Sequence, residues 1–378
     1  MLTLLELSAL TITTSCLNND DKTIGLETPS TGIPDDTYAT ANPSVSSTTT
    51  TIPNIQAIVD NINGIPIIRL IMTGVKNPDS SDWLRLYGTN TPGQNIWVEV
   101  DNVPKGILVN NNGDNYSHSH VMTDVVFTVD NSSSMKDEAD AIARDIISWA
   151  QLLSNSGLDA RFASVGYGGY ISGAINLTTA AELSNYLNQK TGTSRTIGYG
   201  GSDANLLSSY ASAFPTTGYA LDYNECGTMA IQFADKYFSF RHDANRIYVN
   251  FTDEPNQPNG HDDYSVKFFE SQTNWPSSKG TVHTVFSGTK PASNTFGSKE
   301  QPWLISQYTG GTTLYAPSNF SGVTLANLPV TGAMENSYTI TFSNISELVD
   351  GKSHLVHITI KSKYNTVSAD KTFSMTFK

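Results

Sequence analysis

Three features of the sequence predict an α/β fold in which a doubly wound, mostly parallel sheet is inserted in an all-β sandwich. Between about residues 119 and 320, short apolar runs alternate with stretches of helical period, as strands and crossover helices do. On either side, residues 54–118 and 325–378 carry alternating apolar and polar runs separated by turn-forming residues, the pattern of antiparallel strands. Neither flank has enough strands to make a stable sheet alone. The two are therefore expected to form one sandwich around the central insertion.

In chain order, "MLTLLELSALTITTS" is an apolar segment ending in small residues just before Cys16, and it is too short to span a bilayer comfortably. Residues 1–15 resemble a bacterial lipoprotein signal peptide whose mature end is a lipidated Cys16, and Asp20 and Asp21 resemble the surface-export signal of Bacteroidota lipoproteins. That resemblance implies an outer-membrane lipoprotein exposed at the cell surface. Residues 16–53, with "SVSSTTTTIP" as their extreme, are too polar to bury a core and are expected to be a flexible tether.

The expected strands of the first flank are "IPIIRLIMTGV", "DWLRLYGT" and "QNIWVEVD". In the central unit, "DVVFTVD" is a buried strand, and Ala139, Ile142, Ala143, Ile146, Ile147 and Ala150 recur at helical spacing behind it. "ARFASVGYG" (strand), "TAAELSNYLNQ" (helix), "MAIQFADKYFSF" (helix), "NRIYVNFTDE" (strand), "YSVKFFESQ" (helix), "TVHTVFSG" (strand), "PWLISQYTG" (helix) and "GTTLYAP" (edge strand) follow. The second flank supplies "NSYTITFSN", "SHLVHITIKS" and "KTFSMTFK".

Composition narrows the function. A net charge of −13, from 35 acidic against 22 basic residues, argues against nucleic acid or an anionic lipid surface as partner. Two cysteines, Cys16 and Cys226, imply no disulfide framework, and Cys226 reads as a small buried apolar residue. His118 and His120 have no further histidine or cysteine beside them in sequence and read as solvated residues at a domain junction. "SSMK" and "KTG" are too close in sequence for a serine penicillin-binding enzyme, and G-x-S-x-G, H-E-x-x-H, Walker and EF-hand patterns are absent. No enzyme chemistry is expected.

The informative stretch is "DNSSS", where Asp130, Ser132, Ser133 and Ser134 crowd the turn from the buried strand to its helix. In open α/β sheets this edge is where ligands bind. Capping the helix needs one such residue, whereas a hard divalent cation needs several oxygens. Written D-x-S-x-S, the stretch resembles the metal-ion-dependent adhesion site of von Willebrand factor type A domains, which are doubly wound and Rossmann-like. The resemblance covers about 200 residues. It implies that Thr228 in "ECGTMAIQFADKYF" and Asp253 in "RIYVNFTDEPNQPNG" complete a site with Asp130, Ser132 and Ser134. Ser202 in "GGSDANLL" is the alternative to Thr228.

The expected ion is Mg²⁺, with Mn²⁺ or Ca²⁺ as alternatives. The expected partner is a protein or glycan ligand that presents a carboxylate to it. The function implied is metal-dependent adhesion at the cell surface. The alternative is a tip or accessory subunit of a pilus-like assembly in which the metal is structural.

Overall fold

The computed structural model describes residues 31–78, 82–111, 122–155, 159–196, 199–200, 214, 225–289, 300–327, 329–362 and 366–378. Cys16, Ser202, His118, His120 and the segment 1–15 lie outside the described residues. Along the chain the elements are β1 (Ile55–Ile62), β2 (Ile65–Met72), β3 (Ile96–Val100), β4 (Val103–Pro104), β5 (Leu108–Asn111), β6 (Thr123–Asp130), α1 (Ala139–Asn155), β7 (Ala160–Tyr167), β8 (Ile171–Thr178) and α2 (Ala180–Leu187). They continue with α3 (Gly227–Tyr237), β9 (Asn245–Thr252), β10 (Thr281–Ser287), α4 (Leu304–Thr309), β11 (Thr313–Ala316), α5 (Pro329–Glu335), β12 (Tyr338–Phe342), β13 (Ser353–Lys361) and β14 (Ser368–Thr376).

The central unit is a six-stranded sheet in the order β11-β10-β9-β6-β7-β8. Its pairs are parallel except β7 with β8. Every residue of β6 is buried, as a strand covered on both faces requires. On one face Ile142, Ile146, Trp149 and Leu153 of α1, Leu183 and Leu187 of α2, and Val330 and Met334 of α5 pack with Val125, Phe127 and Val129. Trp149 anchors this layer. Its ring meets Phe127 edge-on at 5.7 Å, and its Nε1 donates to Thr331 Oγ1 at 2.6 Å. On the other face Met229, Phe233 and Ala234 of α3 and Ile305 of α4 pack with Val126, Val165 and Tyr248. Strand order reverses direction between β6 and β9, so their carboxyl ends flank the switch point where such sheets bind ligands.

Two four-stranded sheets, β1-β2-β12-β5 and β14-β13-β3-β4, make the second layer system. Their pairings are antiparallel. Leu70, Ile96, Val98, Ile340, Phe342, Val356, Ile358 and Phe373 share one core between them. Each sheet mixes strands from before and after the α/β unit. The chain leaves the sandwich at β5 and re-enters at β12, and these strands are neighbours, with Asn111 opposite Tyr338. An insertion at that point leaves the sandwich's hydrogen bonding intact.

Several sequence expectations are corrected. "DWLRLYGT" forms no ladder strand, only one bridge from Trp83 to Lys76. The Trp83 ring instead lies where a Cβ on Gly74 or Gly332 would sit, so it packs on backbone between the two units. "YSVKFFESQ" makes two 3-10 turns, Asp262–Tyr264 and Val266–Phe269, where an α-helix was expected. β1, β4, β5 and β8 were not anticipated. The helix α5 lies beyond the expected end of the α/β unit at residue 320, yet its apolar residues join that unit's core. The described part of the expected tether, residues 31–53, is laid along the sandwich. Ile33 and Ile52 are fully buried, Asn42 Nδ2 donates to the His357 carbonyl and to Thr359 Oγ1, and Thr49 N donates to the Ser368 carbonyl. Paired backbone and two buried isoleucines hold there what composition alone marked as free chain.

Candidate functional site

Asp130 ends β6 with its carboxylate fully buried. Oδ1 accepts from the backbone N–H of Ser132 at 2.9 Å, and Oδ2 accepts from the Thr252 hydroxyl at 3.0 Å. The first bond folds the D-x-S turn back on its aspartate. The second ties the end of β6 to the end of β9 across the switch point. In front of this pair, Ser134 Oγ donates to Asp253 Oδ1 at 3.1 Å. That commits the Ser134 proton, so the 2.8 Å contact between the two serine hydroxyls has Ser132 donating to Ser134. A chain of oxygens thus runs Ser132, Ser134, Asp253 along the solvent side of Asp130.

Burial pushes the Asp130 carboxyl up to about 8, and the charges of Glu225 and Asp253 add to the rise against the Ser132 backbone N–H. Burial likewise holds the Asp253 carboxyl above the usual range, opposed by the Ser134 hydroxyl. Beside them, Glu138 at the head of α1 is raised by burial while accepting from Ser287 Oγ at 2.6 Å. Carboxyls that resist ionising for want of a positive neighbour are what a cation would satisfy. Among the described residues, no three His, Cys, Asp or Glu side chains group closely enough to hold an ion by themselves. Any ion here therefore depends on the serine hydroxyls and on water, as a hard cation with few charged ligands does. On this donor set, Ser132, Ser134 and Asp253 fit a divalent cation from the inner side, with Asp130 behind them.

Thr228 is not brought into this chain. It is fully buried, and its hydroxyl donates to the Tyr264 carbonyl at 2.5 Å. Its backbone N–H donates to Asn256 Oδ1 at 3.3 Å, while Asn256 Nδ2 donates onward to Glu300. The helix start is wedged: a Cβ at Gly227 would lie 2.8 Å from the Asn250 amide and 2.9 Å from the Tyr167 hydroxyl. Cys226 is buried, and burial pushes its thiol up to about 12, so it is an inert packing residue.

Sequence reasoning missed three groups. Thr252 is one residue before the expected Asp253, and only its alignment with Asp130 across the sheet reveals it. Asn250 accepts from the Thr128 and Tyr167 hydroxyls at 2.8 and 3.0 Å, locking three strand ends under the site. Glu225 is half-buried and is held to the loop after Asp253 by Gln257, whose backbone N–H donates to its carbonyl at 2.9 Å and whose Nε2 donates to its Oε2 at 2.8 Å.

No protein-family model and no curated protein matches the chain. Among solved structures, an aerotolerance-related membrane protein from Bacteroides fragilis aligns over 53% of this chain and 94% of its own, at 15% identity and a TM-score of 0.33. The conserved hypothetical protein BatB from Bacteroides thetaiotaomicron aligns over 52% and 90%, at 14% identity and 0.32. The pilus adhesin SpaC from Lactobacillus rhamnosus GG aligns over 85% and 47%, at 10% identity and 0.30. At such scores no property of those proteins passes to this chain. Among the described residues no helix is long and apolar enough to cross a membrane.

Proposed function

We propose that this chain is a cation-dependent binding protein of the cell surface, whose α/β unit is of the von Willebrand factor type A kind. It takes a protein or glycan ligand through a divalent ion at Ser132, Ser134 and Asp253, with Asp130 behind. The observation that carries this reading is the oxygen chain from Ser132 through Ser134 to Asp253 in front of a buried aspartate, at the switch point of the sheet. A lone helix cap would not recruit a carboxylate from a second strand. The ion supplies a coordination position that a partner's oxygen fills, a carboxylate being the strongest such group. The role is binding without catalysis, and a lipid on Cys16 is the proposed anchor.

The test is binding of the full chain to immobilised extracellular-matrix proteins and glycans, with and without chelator, for the wild type and Asp130→Asn. The reading requires binding that both chelator and substitution abolish. Binding indifferent to both would sink it.

A further inference from the structure

We infer that Asn259 is a site of spontaneous deamidation, a modification that adds a carboxylate to the loop leading away from Asp253. It stands whether or not a cation binds at Asp130. The sequence holds three Asn–Gly pairs, Asn63–Gly64, Asn112–Gly113 and Asn259–Gly260, and the second lies outside the described residues. The other two are exposed and share a left-handed backbone, with φ of 54° and 86° at Asn63 and Gly64 and of 50° and 78° at Asn259 and Gly260. Space does not distinguish them, since a Cβ at either glycine would meet nothing within 4 Å. They differ at the nucleophile. Gly64 N–H donates to Asn61 Oδ1 at 2.7 Å, at the tip of the β1–β2 hairpin, whose ladder runs up to Ile62 opposite Ile65. Gly260 N–H has no hydrogen-bond partner among the described residues. Its turn is closed by His261 N–H donating to the Pro258 carbonyl at 3.0 Å, outside any strand ladder.

The reaction needs only the chain and water. The Gly260 nitrogen attacks Asn259 Cγ and forms a C–N bond, the Cγ–Nδ2 bond breaks, and ammonia leaves with the proton that Gly260 N gives up. The succinimide so formed is opened by water at either carbonyl, to aspartate or isoaspartate. Glycine hinders the attack least, because it has no Cβ. To bring the glycine nitrogen behind Cγ, the asparagine must leave its left-handed conformation. At Asn259 that opens a turn; at Asn63 it also breaks the Asn61 bond and the end of a ladder. The loop is pinned on both sides of the turn, by Gln257 on Glu225 and by the Tyr264 carbonyl on Asn256, so the added charge stays at its tip and the fold tolerates it.

The test is peptide mapping of the full chain after incubation in mildly alkaline buffer, folded and in denaturant, for the wild type and Asn61→Ala. Denaturant supplies each pair's unprotected rate of amide-to-acid conversion. Relative to that rate, the fold should slow Asn63 by a factor about tenfold larger than the factor by which it slows Asn259. Asn61→Ala, which releases the Gly64 N–H, should speed Asn63 and leave Asn259 unchanged. Asn259→Asp, which carries the added charge, should melt as the wild type does. An Asn259 that stays amidated in the folded chain while it converts in denaturant overturns the inference, and so does an Asn63 that the fold protects no better than Asn259.

Discussion

Replacing Asp130 by Asn should make the cation-free protein more stable and the cation useless to it. The Asp130 carboxyl has an ordinary value of 3.8 and is held at about 8 in the fold. The folded state therefore keeps a proton that the unfolded chain releases, and stability falls as pH rises from about 4 toward 8. Each tenfold change in proton affinity is worth about 1.4 kcal/mol, so the cost is roughly 4 kcal/mol at pH 7 and about 6 kcal/mol above pH 8, as an upper bound. Asn carries no such cost. Its Oδ1 accepts from the Ser132 N–H, and its Nδ2 takes the position of Oδ2 beside Thr252 Oγ1, whose own proton turns to the Glu254 carbonyl.

The assay is urea denaturation in chelator at pH 5 and pH 8, repeated with millimolar Ca²⁺ or Mg²⁺. Wild type should lose stability between the two pH values and regain it with cation. Asp130→Asn should be the more stable protein at pH 8 without cation, ahead by only about 1.6 kcal/mol at pH 5, and unmoved by cation at either. A variant less stable than wild type at pH 8, or one still stabilised by cation, refutes the reasoning.

Three further outcomes follow from the packing. Gly227→Ala puts a methyl 2.8 Å from the Asn250 amide and should cost about 1–3 kcal/mol, read from the urea midpoint. Thr331→Val leaves the buried Trp149 indole N–H without its acceptor and should lower stability by about 1–3 kcal/mol, read from the urea midpoint, with cation affinity intact. His354 is raised chiefly by its hydrogen bond to Asp101, with burial opposing and Asp350 assisting. Its contribution is complete below its ordinary value of 6.5 and is lost as pH rises through the folded value, so the sandwich should weaken across the alkaline side of neutrality, and His354→Gln should flatten that slope in pH-dependent denaturation.

The legible parts of this molecule are those where burial and period coincide. "DVVFTVD" is apolar because β6 is covered on both faces, and the spacing of Ile142, Ala143 and Ile146 shows which side of α1 meets it. β8 is obscured because "ISGAINLT" is a partly exposed edge strand with a glycine in it. α5 is obscured because "PVTGAME" opens on proline and contains Gly332, small because the Trp83 ring occupies its Cβ position. At the site, Asp130, Ser132, Ser134 and Asp253 were legible because each lies at or just past the carboxyl end of a buried strand. Thr228 was chosen by distance along the chain. Such counting locates the loop but not the direction of a hydroxyl at a helix start, which here is captured by the Tyr264 carbonyl, a group 36 residues away. The packing of residues 31–53 was hidden because its partners, such as Glu99, Lys105, Thr359 and the Ser368 carbonyl, lie far along the chain and the segment has no period of its own.

The neighbouring positions of β5 and β12 have a mechanical meaning. Tension applied to the α/β unit enters the sandwich through the end of β5 and the start of β12, side by side and in the same direction. β12 is bonded on both edges, to β2 over five residue pairs and to β5 over four. Pulled together from that end, β5 and β12 can leave only by sliding past β2 along the whole β2–β12 ladder at once, which cannot open one bond after another. A sandwich loaded this way resists in shear, and the weaker, peelable connection is the strap of residues 31–53.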